Sequence, residues 1–368
     1  MSVISKINNK TKNILSKVLN SKDVTISFIS FLLALGISSI IIFLNGYSPI
    51  VVFNGIYQGS FGNARAFFQT LVQATPIIFT GLAFTVAFKA GLINIGAEGQ
   101  LYMGAISAAL VGVYISGLPM IIHISLALLA GIIAGGLWGA LVGFLKVRFG
   151  SNEVITTIML NFIAISFTSY LVNYPLKAEG SHVAQTERIL PSATLVRLFS
   201  GSQITIAFII AIVTAISIEY MLKKTLFGYE VRVVGLNPKA AETAGIKTKR
   251  ILLYTMFLSG AIAGLAGATQ ILGVQRRFVD HFSAGFGFDG IAVAALAANN
   301  PLGVILSGIL FGALRAGSMT LNRITNIPAD IVGIIQSLVI IFVAAPLLVR
   351  QITNVSSKGK NNIKQKEE

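Results

Sequence analysis

The strongest constraint on this chain is a succession of long apolar runs. They fall at 24–44, 67–88, 99–118, 119–145, 154–174, 204–222, 251–273, 302–318 and 329–349. A shorter run, 290–298, is closed by Asn299-Asn300-Pro301. A helix needs about 20 mainly apolar residues to cross a bilayer. The runs therefore predict an all-α, polytopic membrane protein with about ten transmembrane helices, or nine if the short run is re-entrant. Composition closes the alternatives. Hydrophobic residues make up 54% of the 368 residues and charged ones 11%. A soluble chain of this size has too little core to hide that much apolar surface, and a disordered one would be polar. The net charge of +15 would suit a nucleic-acid binder, but the apolar content does not, so no nucleic acid is expected as a partner.

The first run could be a secretory signal. Its polar leader and apolar stretch are both long for one, and no clear cleavage site follows, so a retained helix is expected. Lysine and arginine then give an orientation. With the N-terminus inside and ten crossings, the inside segments are 1–23, 146–153, 223–250 and 350–368, and they hold 19 of the 28 Lys and Arg. The outside segments hold seven: Arg65, Lys177, Arg188, Arg197, Arg276, Arg277 and Arg323. The bias predicts a multi-pass protein with both termini cytoplasmic, and favours ten crossings over nine. It divides the chain into a basic tail (1–23), a transmembrane domain (24–349) with a cytoplasmic loop (223–250), and a second tail (350–368).

Gly131, Gly135, Gly139 and Gly143 recur every four residues, as do the pairs Gly260 with Gly264 and Gly308 with Gly312. Small residues at that spacing let helix backbones approach closely in lipid. The four-glycine ladder is expected to be a packing seam.

Three segments depart from plain spanning helix. In the cytoplasmic loop, Asn237 can cap a helix, Pro238 suits its first position, and Gly245 can end it. A helix of about two turns is marginal alone in water, so something must pack on it. That could be the protein's own loops or a groove in a partner. The other two segments are 89–100 and 283–292. Each carries several glycines, then one carboxylate, then an apolar helix. Non-helical backbone at membrane depth survives only where protein or a water-filled cavity surrounds it, and such breaks in two matching halves point to a transport site. The halves would be roughly 67–174 and 251–349. Glu98 and Asp289 could simply complement helix N-termini, or could sit in water at the membrane edge. Alternatively, with Asn94 and Gln100, they offer polar groups to a solute in a pathway, where Phe286 and Phe288 could stack on a flat ring. Arg315 and Glu219, near helix ends, are expected to reach toward water.

The chain lacks the phosphate-binding loop of a nucleotide hydrolase, and His123, His182 and His281 make no metal-ligand spacing. The chain has no cysteine, which removes disulfides and thiolate sites. No catalytic or metal site is expected, and the chain is not expected to be an enzyme.

The residues of these three segments resemble a known pattern. Gly91-Leu92-Ile93-Asn94-Ile95-Gly96-Ala97-Glu98-Gly99-Gln100, Gly235-Leu236-Asn237-Pro238-Lys239-Ala240-Ala241 with Ala244-Gly245-Ile246, and Gly287-Phe288-Asp289-Gly290 with Asn299-Asn300-Pro301 stand in the order found in permease subunits of bacterial ABC importers of the simple-sugar and nucleoside group. Asn94, Glu98 and the Asn-Asn-Pro turn look like the nucleoside branch. The resemblance implies a cytoplasmic ATPase that binds ATP, a second related permease forming a heterodimer, and an extracellular nucleoside-binding lipoprotein, all at the cell membrane. No cofactor would be bound by this chain itself. Gly235, Asn237, Pro238, Ala240, Ala241 and Gly245 would form the coupling helix to the ATPase. Asn94, Glu98, Gln100, Phe286, Phe288 and Asp289 would line the substrate pathway. The competing readings are a simple-sugar ABC permease, an ion-coupled secondary transporter and a non-transporting membrane scaffold.

Overall fold

A computed structural model describes residues 22–325 and 330–344. Most of the basic N-terminal tail, the C-terminal tail and the end of the last apolar run (345–349) lie outside the described residues. In chain order the α-helices are α1 (Lys22–Leu44), α2 (Pro49–Phe61), α3 (Ala64–Lys89), α4 (Ala97–Tyr114), α5 (Met120–Phe149), α6 (Glu153–Asn173), α7 (Ala207–Lys224), α8 (Leu226–Leu236), α9 (Pro238–Thr243), α10 (Thr248–Gln270), α11 (Phe286–Leu296), α12 (Pro301–Thr325) and α13 (Asp330–Ala344). A π-helical turn, Ile271–Gln275, extends α10, and a 3-10 turn spans Pro191–Ala193. Among the described residues β-pairing is confined to two isolated bridges, Gln185 with Val279 and Arg197 with Thr205.

Among the described residues, five helices are long and apolar enough to cross a membrane: Ala64–Lys89, Met120–Phe149, Glu153–Asn173, Thr248–Gln275 and Pro301–Ile324. A sixth follows if Leu32–Leu44 and Pro49–Phe61, bent by 119°, form one broken span. This is fewer than the ten runs suggest, and the reasons are local. The run at 99–118 begins only after a break and yields the 18-residue α4. The run at 204–222 yields α7, whose last turn carries Lys223 and Lys224. The run at 290–298 lies in the short helix α11, and the last run is described only in part.

The described residues form two compact units, one of 22–54 with 321–325 and 330–344, and one of 55–320. In the first, α1 and α13 pack together. Ala34, Ser38 and Ile42 recur every four residues on α1 and are fully buried.

The second unit is built around α3 and α10. Of the apolar window in each, 89% and 72% is buried, against 28% in both α5 and α6. Glycine explains how α10 sits so deep. A Cβ on Gly135 would come within 2.5 Å of the Gly260 carbonyl oxygen, and Cβ atoms on Gly260 and Gly264 would collide with the backbone of α5. The ladder is thus a seam along which α5 and α10 touch backbone to backbone. Gly104 of α4 and Gly267 of α10 meet facing backbone in the same way. Gly312 of α12 abuts Ala74 of α3, where a Cβ would lie 2.7 Å from the Ala74 nitrogen. Close approach matters here because helix association in lipid rests on dispersion rather than on the hydrophobic effect.

Candidate functional site

The first break starts where α3 ends. Gly91 takes the left-handed conformation (φ 75°), and the Leu92 N–H reaches back to the Ala87 carbonyl at 3.1 Å. This glycine cap turns the chain sharply and frees the next residues from the helix. Asn94 organises them. Its Oδ1 accepts from the Gly96 N–H at 2.9 Å, and its amide faces that of Gln100, with bonds of 3.0 and 3.2 Å. Its Nδ2 also donates to the Ser259 hydroxyl at 2.8 Å, and that hydroxyl donates to the Ala83 carbonyl at 2.6 Å. Asn161 of α6 closes the other side, donating to the Ile95 carbonyl at 2.9 Å and accepting from the Gly99 N–H at 2.8 Å. The side chains of Asn94, Asn161 and Ser259 therefore satisfy backbone groups that lipid could not.

The second break meets the first. Gly285 is left-handed (φ 89°) and opens α11. The Gly287 N–H donates to Glu98 Oε2 at 2.6 Å, so the Glu98 carboxylate serves the N-terminus of α11 while standing in the first turn of its own helix, α4. Negative charge is stabilised at both positions by the helix dipoles. The approach is tight. A Cβ on Gly287 would lie 2.6 Å from Glu98 Cα, and one on Gly290 would lie 2.7 Å from the Gly81 nitrogen of α3. Thr80 beside it donates to the Phe286 carbonyl at 2.8 Å.

Arg315 of α12 latches the start of α11. Its Nε donates to Asp289 Oδ2 at 2.7 Å, its Nη2 donates to the Ala284 carbonyl at 2.6 Å, and its guanidinium lies 4.5 Å from the centre of the Phe286 ring. The side chains of Arg315 and Asp289 are only 12% and 14% exposed. Arg315 does not reach toward water as a helix-end arginine would. The carboxylate and the free carbonyl turn it inward. Glu219 also stays largely covered, paired with Lys223 one turn on.

Glu98 and Asp289 thus belong to one polar junction. Asn94 and Gln100 are fully buried and bonded to each other. Phe286 is buried beneath Arg315, whereas Phe288 is half exposed, and the two rings make no contact. The sequence reading missed Asn161, Ser259 and Thr80, and took Arg315 for a helix-end residue reaching toward water. Asn161 could have been flagged as an amide in the middle of an apolar run.

The loop helix α9 forms from its caps. Asn237 Oδ1 accepts from the Ala240 N–H at 3.1 Å, Pro238 is the first helical residue, and Gly245 (φ 83°) ends the turn. Ala241 faces inward and is fully buried, while Ala240 and the neighbouring Leu236 are exposed, Leu236 to 87%. Gly235 lies directly on the Gly91 turn, where its Cβ would collide with the Lys89 carbonyl and come within 3.0 Å of the Gly91 nitrogen. The loop therefore backs onto the residues that open the first break. No group of three or more metal-binding side chains occurs among the described residues.

Residues 66–344 match the family described as branched-chain amino acid transport system / permease component. The guanosine ABC transporter permease protein NupP of Bacillus subtilis (strain 168) is 37% identical over 343 residues, covering 91% of this chain and 97% of NupP. The nucleoside ABC transporter permease protein NupB of Lactococcus lactis subsp. cremoris (strain MG1363) is 33% identical, covering 93% of this chain and 94% of that protein. A glucose ABC transporter permease protein of Haloferax volcanii is also 33% identical, over 85% of each chain. Such permeases are transport components and not enzymes, and their apolar helices make them multi-pass membrane proteins that work with a partner ATPase and a substrate-binding protein. On a match that spans its buried helical bundle and both breaks, the chain belongs to the branched-chain amino acid transport system permease component family.

Proposed function

We propose that the chain is the transmembrane permease subunit of an ATP-driven ABC importer that moves nucleosides across the cell membrane. The observation that carries the substrate class is near-full-length identity to two permeases named for nucleosides or guanosine. The polar junction agrees with a pathway for a neutral solute, since Glu98 and Asp289 already have partners within the chain. Glu98, Asp289, Phe286 and Phe288 border the pathway, and the paired amides of Asn94 and Gln100 hold its break in shape. The α9 helix, with Gly235 and Asn237 to Gly245, is the coupling element that docks on the ATPase. The exposed Leu236 offers an apolar contact there, and Gly235 passes the motion to the Gly91 turn.

The finer assembly is a heterodimer with a second related permease, served by an extracellular nucleoside-binding lipoprotein. Ten crossings with both termini cytoplasmic follow from the lysine and arginine bias. On the side assigned to the outside, Arg276 lies among Arg188 and Arg197. Burial, then these two neighbouring charges, lower its pKa below the ordinary arginine value. Such uncompensated positive charge suits an acidic face on the delivering protein.

The test is uptake by the purified complex in vesicles, with labelled guanosine, adenosine and uridine and with unlabelled competitors. Saturable nucleoside uptake that ribose and glucose leave unchanged is expected. Uptake of glucose or ribose alone would overturn the substrate class. A sugar importer is the second reading, favoured by the similarity to the glucose permease.

A further inference from the structure

Away from the polar junction, a narrow cavity lies between α3, α10 and the connection that precedes α7. It is small, about 240 Å³ with its open mouth included. Its polar walls are Thr75 on α3, Gln203 and Thr205 on the connection, and Thr269 and Gln270 on α10. The hydroxyls of Thr75 and Thr269 are bonded to carbonyls of their own helices, and that of Thr205 accepts weakly from the Ala207 N–H. Gln270 differs. Its side chain is 6% exposed, yet its amide has no hydrogen-bond partner among the described residues. The amide is not among the enclosed, unsatisfied polar atoms; it lines the cavity and faces its open space, where it can bond to whatever enters.

Two neighbouring features set Gln270 apart from an ordinary core residue. The π-helical turn Ile271–Gln275 begins directly after it, and single π turns recur at functional sites. On the apolar wall, the buried Ile204 and Val72 join the cavity to a cluster that includes Phe68, whose ring stacks on Phe199 at 4.6 Å. The polar walls carry no charge at all.

We propose that this niche is a solute-contact site in which the Gln270 amide, with Gln203 at the mouth, hydrogen-bonds a hydroxyl or amide edge of a neutral solute in transit. The narrow room takes one polar edge rather than a whole molecule. The uncharged lining selects neutral, hydroxylated solutes and rejects amino acids and other ions, which would leave their charge unpaired. The stacked phenylalanines give a flat ring an apolar approach. This site rests on the nucleoside reading above only for the identity of the solute.

The experiment uses the whole complex in vesicles with labelled guanosine, uridine, ribose, glucose and leucine. Gln270→Leu is nearly the same size and removes the amide. For the solute carried by the wild type, it is expected to lower kcat/KM about tenfold, the loss of one hydrogen bond to the solute. Thermal stability should stay near wild type, because the amide makes no bond within the described chain; a purely structural Gln270 would lower it. Gln203→Leu, at the exposed mouth, should raise KM without touching the core, and it serves if Gln270→Leu does not assemble. Loss of ribose or glucose uptake in these variants, with no nucleoside carried by the wild type, keeps the niche and discards the nucleoside. Unchanged kinetics in Gln203→Leu and in any assembled Gln270→Leu complex would overturn the niche and leave the importer standing. Transport of leucine alone would overturn it as well.

Discussion

Replacing Gly235 by alanine tests whether the cytoplasmic loop drives the first break. The added Cβ would fall on the Lys89 carbonyl, with Ala90 C and the Gly91 nitrogen both at 3.0 Å. Ordinary contact begins near 3.4 Å. The obstructing atoms are backbone of a well-capped helix end, so neither side can yield by rotating a side chain. The α8–α9 loop and the Gly91 turn must therefore separate by about 1 Å, and overpacking of this kind costs roughly 1–3 kcal/mol. At about 1.4 kcal/mol per factor of ten, a coupling that depends on this contact falls about tenfold. The assay reads ATP hydrolysis and solute uptake together in the reconstituted complex. Hydrolysis should continue while uptake per ATP drops about tenfold. A suitable control is Gly150→Ala, at a left-handed glycine (φ 67°) with nothing within 4 Å of its Cβ. It strains the backbone without pushing two segments apart, and uptake per ATP should stay near wild type. If Gly235→Ala assembles and its uptake per ATP equals that of the control, the contact does not transmit motion.

Further substitutions probe the other parts. Ala241→Pro places proline inside α9, at a cost of about 3 kcal/mol, and should abolish uptake while the protein still reaches the membrane; normal uptake would remove the coupling role. Asp289→Ala leaves the Arg315 guanidinium unpaired in a covered site, and breaking such a pair costs about 3–5 kcal/mol. Its uptake should show a raised KM or no turnover, and unchanged kinetics would reduce Asp289 to a local cap. Asn161→Ala strips partners from the Ile95 carbonyl and the Gly99 N–H, at about 1–3 kcal/mol each, so the detergent-solubilised protein should melt earlier. A melting temperature equal to wild type would show that the break holds without it. Arg197→Glu should weaken docking of the delivering protein most at low salt, measured by surface binding at two ionic strengths. Binding insensitive to both would clear the arginines of that role.

The parts of this fold written in local pattern were legible. The apolar runs give the helices, the glycine ladder gives the seam between α5 and α10, and Asn237, Pro238 and Gly245 give α9 its ends. Both breaks could be placed because glycine and a carboxylate interrupt an apolar run there. Their meeting was not legible. That Gly287 would donate to Glu98, 189 residues away, depends on how α4 and α11 dock, and one-dimensional periodicity carries no such information. Arg315 was misjudged for the same reason. A helix-end arginine reaches toward water unless a carboxylate and a free carbonyl stand within its span, and those partners lie 26 and 31 residues earlier. The ten apolar runs do not translate directly into ten long helices, since apolar length alone does not distinguish a spanning helix from a broken or short one.

The most direct test of the account is uptake by the complete complex when its two possible energy sources are removed separately. In one sample the ATPase subunit carries a substitution that blocks hydrolysis while the ion gradients remain. In the other the ATPase is intact and ionophores collapse every gradient. Uptake should vanish in the first and persist in the second. Uptake that survives loss of hydrolysis but stops with the gradients would contradict the account and make the chain an ion-coupled transporter.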